Sequence, residues 1–311
     1  MQIYDISNQG SIITEEHDSP RAYRWYQMNY SQEADCQWLE EYPGLNNLFK
    51  EQLLKVDIRP VVYQNEESIL LCLRGVNLNA GSDPEDMISI RLWINNNTVI
   101  TSSNRPSLSL EDILKSLQNS IGPKSPGEFL TTLIERLAIR IEDFFETFEN
   151  QLDIQEDNIE TSDSREMGIE LGSLRRQAAT VKRYLMPQRD ALEKLAKTES
   201  KLLTPQLLEE MKDDRDKFAR LLEDLELSRE RSMALQEQLL SKFGYEQNKR
   251  LYVLSIISAV FLPLTFLSGL LGMNVAGLPG TEYSNAFWLV SALCLVIAIG
   301  LMIWFKIKKW Y

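Results

Sequence analysis

The chain has 311 residues, of which 44% are hydrophobic, and its 33 basic and 45 acidic residues give a formal charge of -12. This acidic balance argues against a nucleic-acid partner, because phosphate backbones attract basic surfaces. Three cysteines, far apart and odd in number, argue against a disulfide framework. The sequence contains no nucleotide-binding loop, metal-ligand cluster or nucleophile constellation, so an enzyme is not indicated.

Residues 1–127 are predicted to form an α/β domain. We expect this domain in the cytosol, because the first residues lack the basic and apolar segments of a signal peptide. After a polar N-terminal stretch with weak helical periodicity at 37–55, four strands are predicted between residues 59 and 102. Their segments are PVVYQ, SILLCLRGV, MISIRLWI and TVITSS. Asn95, Asn96 and Asn97 predict a hairpin between the last two. A helix start at Ser109 and a Gly/Pro-rich linker at 122–127 complete the domain.

Residues 128–250 are predicted to form a helical stalk. Apolar residues at three- and four-residue spacing from 128 to about 160, and from 164 to about 200, predict an antiparallel helical pair. Thr204 and Pro205 are typical of an N-cap and a first helical residue. One helix is therefore expected from Pro205 to Leu271, with partners from its own chain or from identical copies.

Nine acidic residues between positions 142 and 163 give the stalk a strongly acidic segment. They indicate either a surface that concentrates cations or a solvated helix face that keeps the domain soluble.

Residues 251–311 are predicted to form a transmembrane hairpin. Its first span is 251–271, its loop 272–286 and its second span 287–305, and each span can cross about 30 Å of hydrocarbon as a helix. Lys249 and Arg250 precede the first span, and Lys306, Lys308 and Lys309 follow the second. By the positive-inside rule, both termini are expected in the cytoplasm of a multi-pass inner-membrane protein.

The less apolar residues of the first span fall on one stripe at heptad-like spacing. The stripe consists of Asn248, Ser255, Ser258, Leu262, Thr265 and Gly269. Small and hydroxyl-bearing residues suit either a helix-packing seam or the wall of a hydrated pore. Two spans cannot enclose a pore, so the second alternative requires several copies of the chain.

Gly272-Met273-Asn274, placed directly after the first of two C-terminal spans, resembles the signature of the CorA-type divalent metal ion transporters. FLPLTFLSGLLGMNVAGLPG and VKRYLMPQRDAL resemble the ZntB-like zinc transporter branch of that family. The chain differs from the magnesium members in having residues 277–280 in place of Met-Pro-Glu-Leu, and Leu271 in place of an aromatic residue.

The resemblance implies an α+β architecture: a funnel-shaped homopentamer with a cytosolic α/β/α domain, a helical stalk and five first spans lining a pore. It implies that Asn274 holds a hydrated cation at the outer mouth, that Gly272 allows a tight turn, and that Met273 supports the turn by packing. Thr265 and Leu262 map to the inner pore, with Leu262 at a hydrophobic constriction. Glu282 is the acidic residue of the outer mouth.

The implied function is uptake of Zn²⁺, coupled to protons, with Mg²⁺, Co²⁺, Ni²⁺ and Cd²⁺ as further candidate ions and no resident cofactor. The spans carry no ionisable residue, so Glu282 or a cytosolic carboxylate would carry the proton. One histidine, His17, and dispersed cysteines cannot build a tetrahedral zinc site within one subunit. The alternatives are a CorA-type Mg²⁺/Co²⁺ channel and a structural protein whose hairpin is only a tether.

Overall fold

The computed structural model describes residues 1–13, 20–161, 164–197, 200–273 and 283–308. The chain divides into two compact units, Met1–Glu237 and Gln238–Tyr311. The domain boundaries expected from composition, after residues 127 and 250, stay predictions.

The first unit contains a six-stranded sheet with the order β1-β2-β6-β5-β4-β3. Its strands are β1 Gln2–Ser7, β2 Arg21–Met28, β3 Val61–Gln64, β4 Ile69–Gly75, β5 Ile88–Ile94 and β6 Thr98–Ser102. Strands β2 and β6 pair in parallel, and the other neighbouring strands pair antiparallel. The four strands expected between residues 59 and 102 are confirmed, whereas β1 and β2 were not predicted.

The hairpin at the three asparagines is confirmed. The backbone N–H of Asn95 donates to the Thr98 carbonyl at 3.0 Å, and the backbone N–H of Asn97 donates to Asn95 Oδ1 at 3.1 Å. Asparagine side chains commonly satisfy backbone groups of their own turn in this way. The turn fixes the register in which Trp93 of β5 lies opposite Ile100 of β6.

Helices cover both faces of the sheet. On one face lie α1 (Glu33–Glu41) and α2 (Asn47–Leu54), whose Leu39, Phe49 and Leu53 pack against Leu70 and Trp93. On the other face the ring of Phe129, from α4 (Pro126–Asp157), lies 5.0 Å from that of Trp25. The expected α/β/α layering is therefore present. Helix α3 (Leu108–Gln118) starts one residue before the predicted Ser109.

The predicted linker at 122–127 is wrong at its C-terminal end, because α4 already begins at Pro126 and buries both Pro126 and Gly127. The Ser125 hydroxyl caps α4 by accepting from the Glu128 N–H at 3.1 Å. A Cβ on Gly127 would lie 2.2 Å from the Leu202 carbonyl oxygen, so only glycine fits this contact. The Gly/Pro composition therefore marks a helix start that packs closely against a neighbouring loop.

Helices α4, α5 (Ser164–Ala196) and α6 (Pro205–Leu271) have the lengths expected from the sequence. The Thr204 hydroxyl accepts from the Leu207 N–H at 3.3 Å, as an N-cap does. Within the first unit α6 bonds to both other helices. Its Arg231 contacts Asp153 of α4 at 2.8 Å, and its Glu226 pairs with Lys182 of α5.

Arg91 is fully buried in β5 and replaces missing backbone partners after α2. Its guanidinium donates to the carbonyls of Leu53, Lys55 and Val56 and lies 3.8 Å from the centroid of the Tyr30 ring. Arg91→Ala removes these hydrogen bonds and leaves a cavity beside the sheet, so we expect a loss of about 2–4 kcal/mol in the free energy of unfolding. Thermal and denaturant unfolding measure this loss. The matched control Arg105→Ala removes an exposed ion pair with Asp86 and is expected to change stability by less than about 0.5 kcal/mol.

Asp214 of α6 is buried, with Lys217 3.2 Å away, and burial raises the pKa of its carboxyl group. The folded chain thus binds this proton more tightly than the unfolded chain. The contribution of Asp214 to stability is greatest in acid and is lost as pH rises through the raised pKa. We expect Asp214→Asn to raise the unfolding temperature at pH 7.5, with an advantage that shrinks towards pH 4. An advantage that grows on acidification would contradict this assignment.

Candidate functional site

The second unit contains two helical segments that are long and apolar enough to cross a membrane. They are the C-terminal part of α6, which ends at Leu271, and α7 (Ala286–Ile307). Helix α7 begins one residue before the predicted span and ends two residues after it. In their most apolar windows, 6% of the residues of α6 and none of α7 are buried. Such nearly uncovered apolar surfaces need a lipid or protein environment.

The two helices of the hairpin pack through one narrow face each. On α6 the less exposed residues recur every three or four positions and centre on Val260, which is 8% exposed; they are Tyr252, Ile256, Val260, Leu264 and Leu267. On α7 the corresponding residues include Phe305, which is 5% exposed; they are Val290, Cys294, Ile297, Ala298, Leu301 and Phe305. The spacing places each set on one side of its helix.

The predicted stripe lies on the other side of α6. All six of its residues, from Asn248 to Gly269, are exposed, and Leu262 is 76% exposed. At 100° per residue, the centre of the stripe is about 150° around the helix from the face that packs on α7. The stripe is therefore not a packing seam between α6 and α7, and the two predicted alternatives that stay are a seam between copies of the chain and a pore wall.

The hydroxyl groups of the stripe donate to their own helix. Ser255 Oγ donates to the Leu251 carbonyl at 2.9 Å, and Thr265 Oγ1 donates to the Phe261 carbonyl at 2.8 Å. Ser258 does the same with the carbonyl four residues before it. A hydroxyl has one proton and two lone pairs, so these side chains offer acceptor oxygens to their surroundings. Such a surface suits the protons of water around a cation.

A backbone acceptor that Pro263 already indicates in the sequence lies beside the stripe. Pro263 lies within α6 and has no N–H to donate to the carbonyl of Ala259, four residues earlier. Ala259 is exposed and neighbours the stripe on the helix surface. The proline inside the span was the signal for this additional acceptor.

Two residues of the signature, Gly272 and Met273, directly follow the end of α6. The Gly272 N–H donates to the Ser268 carbonyl at 2.9 Å, and a Cβ on Gly272 would lie 2.9 Å from that same oxygen. The close approach explains a glycine here. Met273 is 49% exposed in the single chain. Asn274, Glu282 and His17 lie outside the described residues, so the roles expected for them stay predictions.

Metal-ligating side chains are dispersed through the rest of the chain. Over the described ranges, no group of three or more His, Cys, Asp or Glu side chains lies close enough to hold a metal ion. The predicted acidic segment is partly neutralised, because Arg231 also contacts Glu156 at 2.5 Å. Among the described residues, the stripe of α6 is therefore the candidate functional site.

Comparison with known proteins supplies the family. The family model described as CorA-like Mg²⁺ transporter protein matches residues 21–308. The divalent cation transporter CmaX of Pseudomonas aeruginosa is 36% identical over 262 residues, which cover 84% of this chain and 78% of that protein. The zinc transport protein ZntB of Yersinia enterocolitica is 27% identical over 311 residues, 99% of this chain and 94% of the relative.

A solved structure agrees over the whole length. The structure of the full-length CmaX protein superposes with a TM-score of 0.82 at 31% identity and covers 100% of this chain and 97% of its own. The expected resemblance is therefore confirmed in sequence and in fold. The chain belongs to the CorA-like Mg²⁺ transporter protein family and is a divalent cation transporter.

Proposed function

We propose that this chain takes up Zn²⁺ through a homopentameric pore lined by α6. The observation that carries the proposal is the exposed stripe of acceptor oxygens on the side of α6 opposite α7. The chain itself leaves this surface uncovered, and two helices cannot enclose water. Copies of α6 arranged around an axis provide the missing walls, and the heptad-like spacing keeps the stripe facing that axis.

The ion travels with much of its water shell. Ser255, Ser258 and Thr265 accept hydrogen bonds from the bound water, and Leu262 forms an apolar constriction that closes the pore by dewetting. Asn274 holds the hydrated ion at the outer mouth, where Glu282 attracts cations and carries the coupled proton. Both termini lie in the cytoplasm, since the basic residues flank the inner ends of the spans.

Zn²⁺ is preferred because of the zinc transport relative and the sequence after the signature. CorA-type conduction of Mg²⁺ or Co²⁺ is the second candidate, favoured by the intact Gly272-Met273-Asn274. A pore that binds cations through their water shell would also admit Co²⁺, Ni²⁺ and Cd²⁺. The pore itself uses no resident cofactor in this proposal.

Flux through the purified protein in liposomes tests the function. We expect Zn²⁺ uptake that exceeds Mg²⁺ uptake and is faster with an acidic outside, and we expect Asn274→Ala to lower it at least tenfold because an ion-facing oxygen is lost. Asn285→Ala is the matched control, since Asn285 precedes α7 without a side-chain cap bond.

Native mass spectrometry of the same samples reports the assembly. A pentamer is expected for both variants, so that lost flux reflects the pore and not its assembly. A monomer or dimer under mild conditions would contradict the ring, and full Zn²⁺ flux in Asn274→Ala would remove the role of that side chain. Faster Mg²⁺ flux would favour the second candidate.

Cysteine accessibility separates a wet pore from a dry seam between copies. On a background with Cys294 replaced by serine, Ser255→Cys, Ser258→Cys, Thr265→Cys and Gly269→Cys are expected to react with a water-soluble methanethiosulfonate. Reaction at least tenfold slower is expected for Val260→Cys, on the face packed against α7, and for Ile257→Cys, exposed away from the stripe. Equal labelling at all six positions, or none on the stripe, would refute the pore.

A further inference from the structure

Basic residues flank the hairpin where the apolar part of α6 begins and where α7 ends. We call Lys249, Arg250, Lys306 and Lys308 the basic collar; the first two precede the apolar part of α6, and the others end α7. All four are exposed. The chain as a whole has a formal charge of -12, so this cationic group runs against the general composition.

The collar lacks protein counter-ions over the part of the chain that the structure describes. No carboxylate there forms an ion pair with any of the four side chains. Other basic residues do have such partners: Lys182, Lys197, Lys217 and Arg231 each pair with an Asp or Glu. Glu246 is the one acidic residue in the described part of the second unit. Four cations that repel one another at one level are stabilised by an anion from outside the chain.

The collar lies where hydrocarbon gives way to headgroups. The apolar part of α6 and the whole of α7 are both about 30 Å long, matching the apolar layer of a bilayer, so the basic ends of both helices fall at the same boundary. Beside this boundary both helices expose apolar residues, among them Val253 and Ile303.

We propose that the basic collar binds the headgroup of an anionic phospholipid. The lysines and Arg250 supply charge-assisted hydrogen bonds to the phosphodiester, and the exposed apolar surfaces beside them accept the acyl chains. This combination selects a lipid over a free phosphate, which lacks the apolar part. The site is independent of which ion the protein carries.

Lipid retention in native mass spectrometry tests the site on the full-length protein. We expect the detergent-solubilised protein to retain dioleoyl-phosphatidylglycerol much more strongly than dioleoyl-phosphatidylcholine, and to retain no glycerol phosphate. Each single replacement of a collar residue by glutamine is expected to weaken phosphatidylglycerol binding about fivefold, and all four together at least a hundredfold.

A matched variant controls for net charge. Replacing the exposed Lys55, Lys115, Lys124 and Lys201 by glutamine removes the same four charges from the first unit and is expected to leave phosphatidylglycerol binding unchanged. Added phosphatidylglycerol is also expected to raise the unfolding temperature of the native protein and the control, but not of the collar variant. Equal retention of both lipids, or equal losses in the two quadruple variants, would overturn the proposal.

Discussion

Helix α7 covers only one face of the apolar part of α6, and the function that we propose depends on what lies against the opposite face. The packed face, centred on Val260, is apolar throughout. The opposite face carries hydroxyls, a bare glycine and a large exposed leucine. Because the hydroxyl protons are already donated to the helix, lipid contact would not leave unsatisfied donors. Lipid tails have no donors for the row of acceptor oxygens, whereas water and hydrated cations can donate to them.

The part of α6 that belongs to the first unit is in a different situation. There α6 has polar contacts with both neighbouring helices, through Arg231 to α4 and through Glu226 to α5. Small buried residues such as Ser228 and Ser232 permit this close packing. In the first unit, the chain itself therefore supplies two partners for α6, the helices α4 and α5. For the apolar part of α6, the described residues supply one partner, α7, and this is the physical reason to infer further copies.

The sequence predicted elements whose pattern is local and repeated. Runs rich in β-forming residues and separated by turn residues predicted β3 to β6, and the predicted N-cap Thr204 has its expected bond. Strands β1 and β2 were missed because charged residues, such as Arg21 and Arg24, interrupt their alternation. Their stability comes from neighbours distant in sequence: Trp25 packs edge-to-face on Phe129 and donates to Thr101 at 2.9 Å. The linker was misjudged because Gly127 serves a tertiary contact that composition does not reveal.

The candidate site was predictable to the level of the helix face but not of the atom. Heptad-like spacing identified the stripe, yet whether it faced α7 depended on the packing of the hairpin, and the direction of each hydroxyl depended on its rotamer. That direction decides the chemistry. A wall of acceptors binds water through its protons and leaves the water oxygens for the metal, so a divalent ion keeps its inner ligands and avoids the large cost of dehydration. In the pore that we propose, selection among ions of equal charge rests on the size and order of the hydrated complex at the ring formed by Leu262.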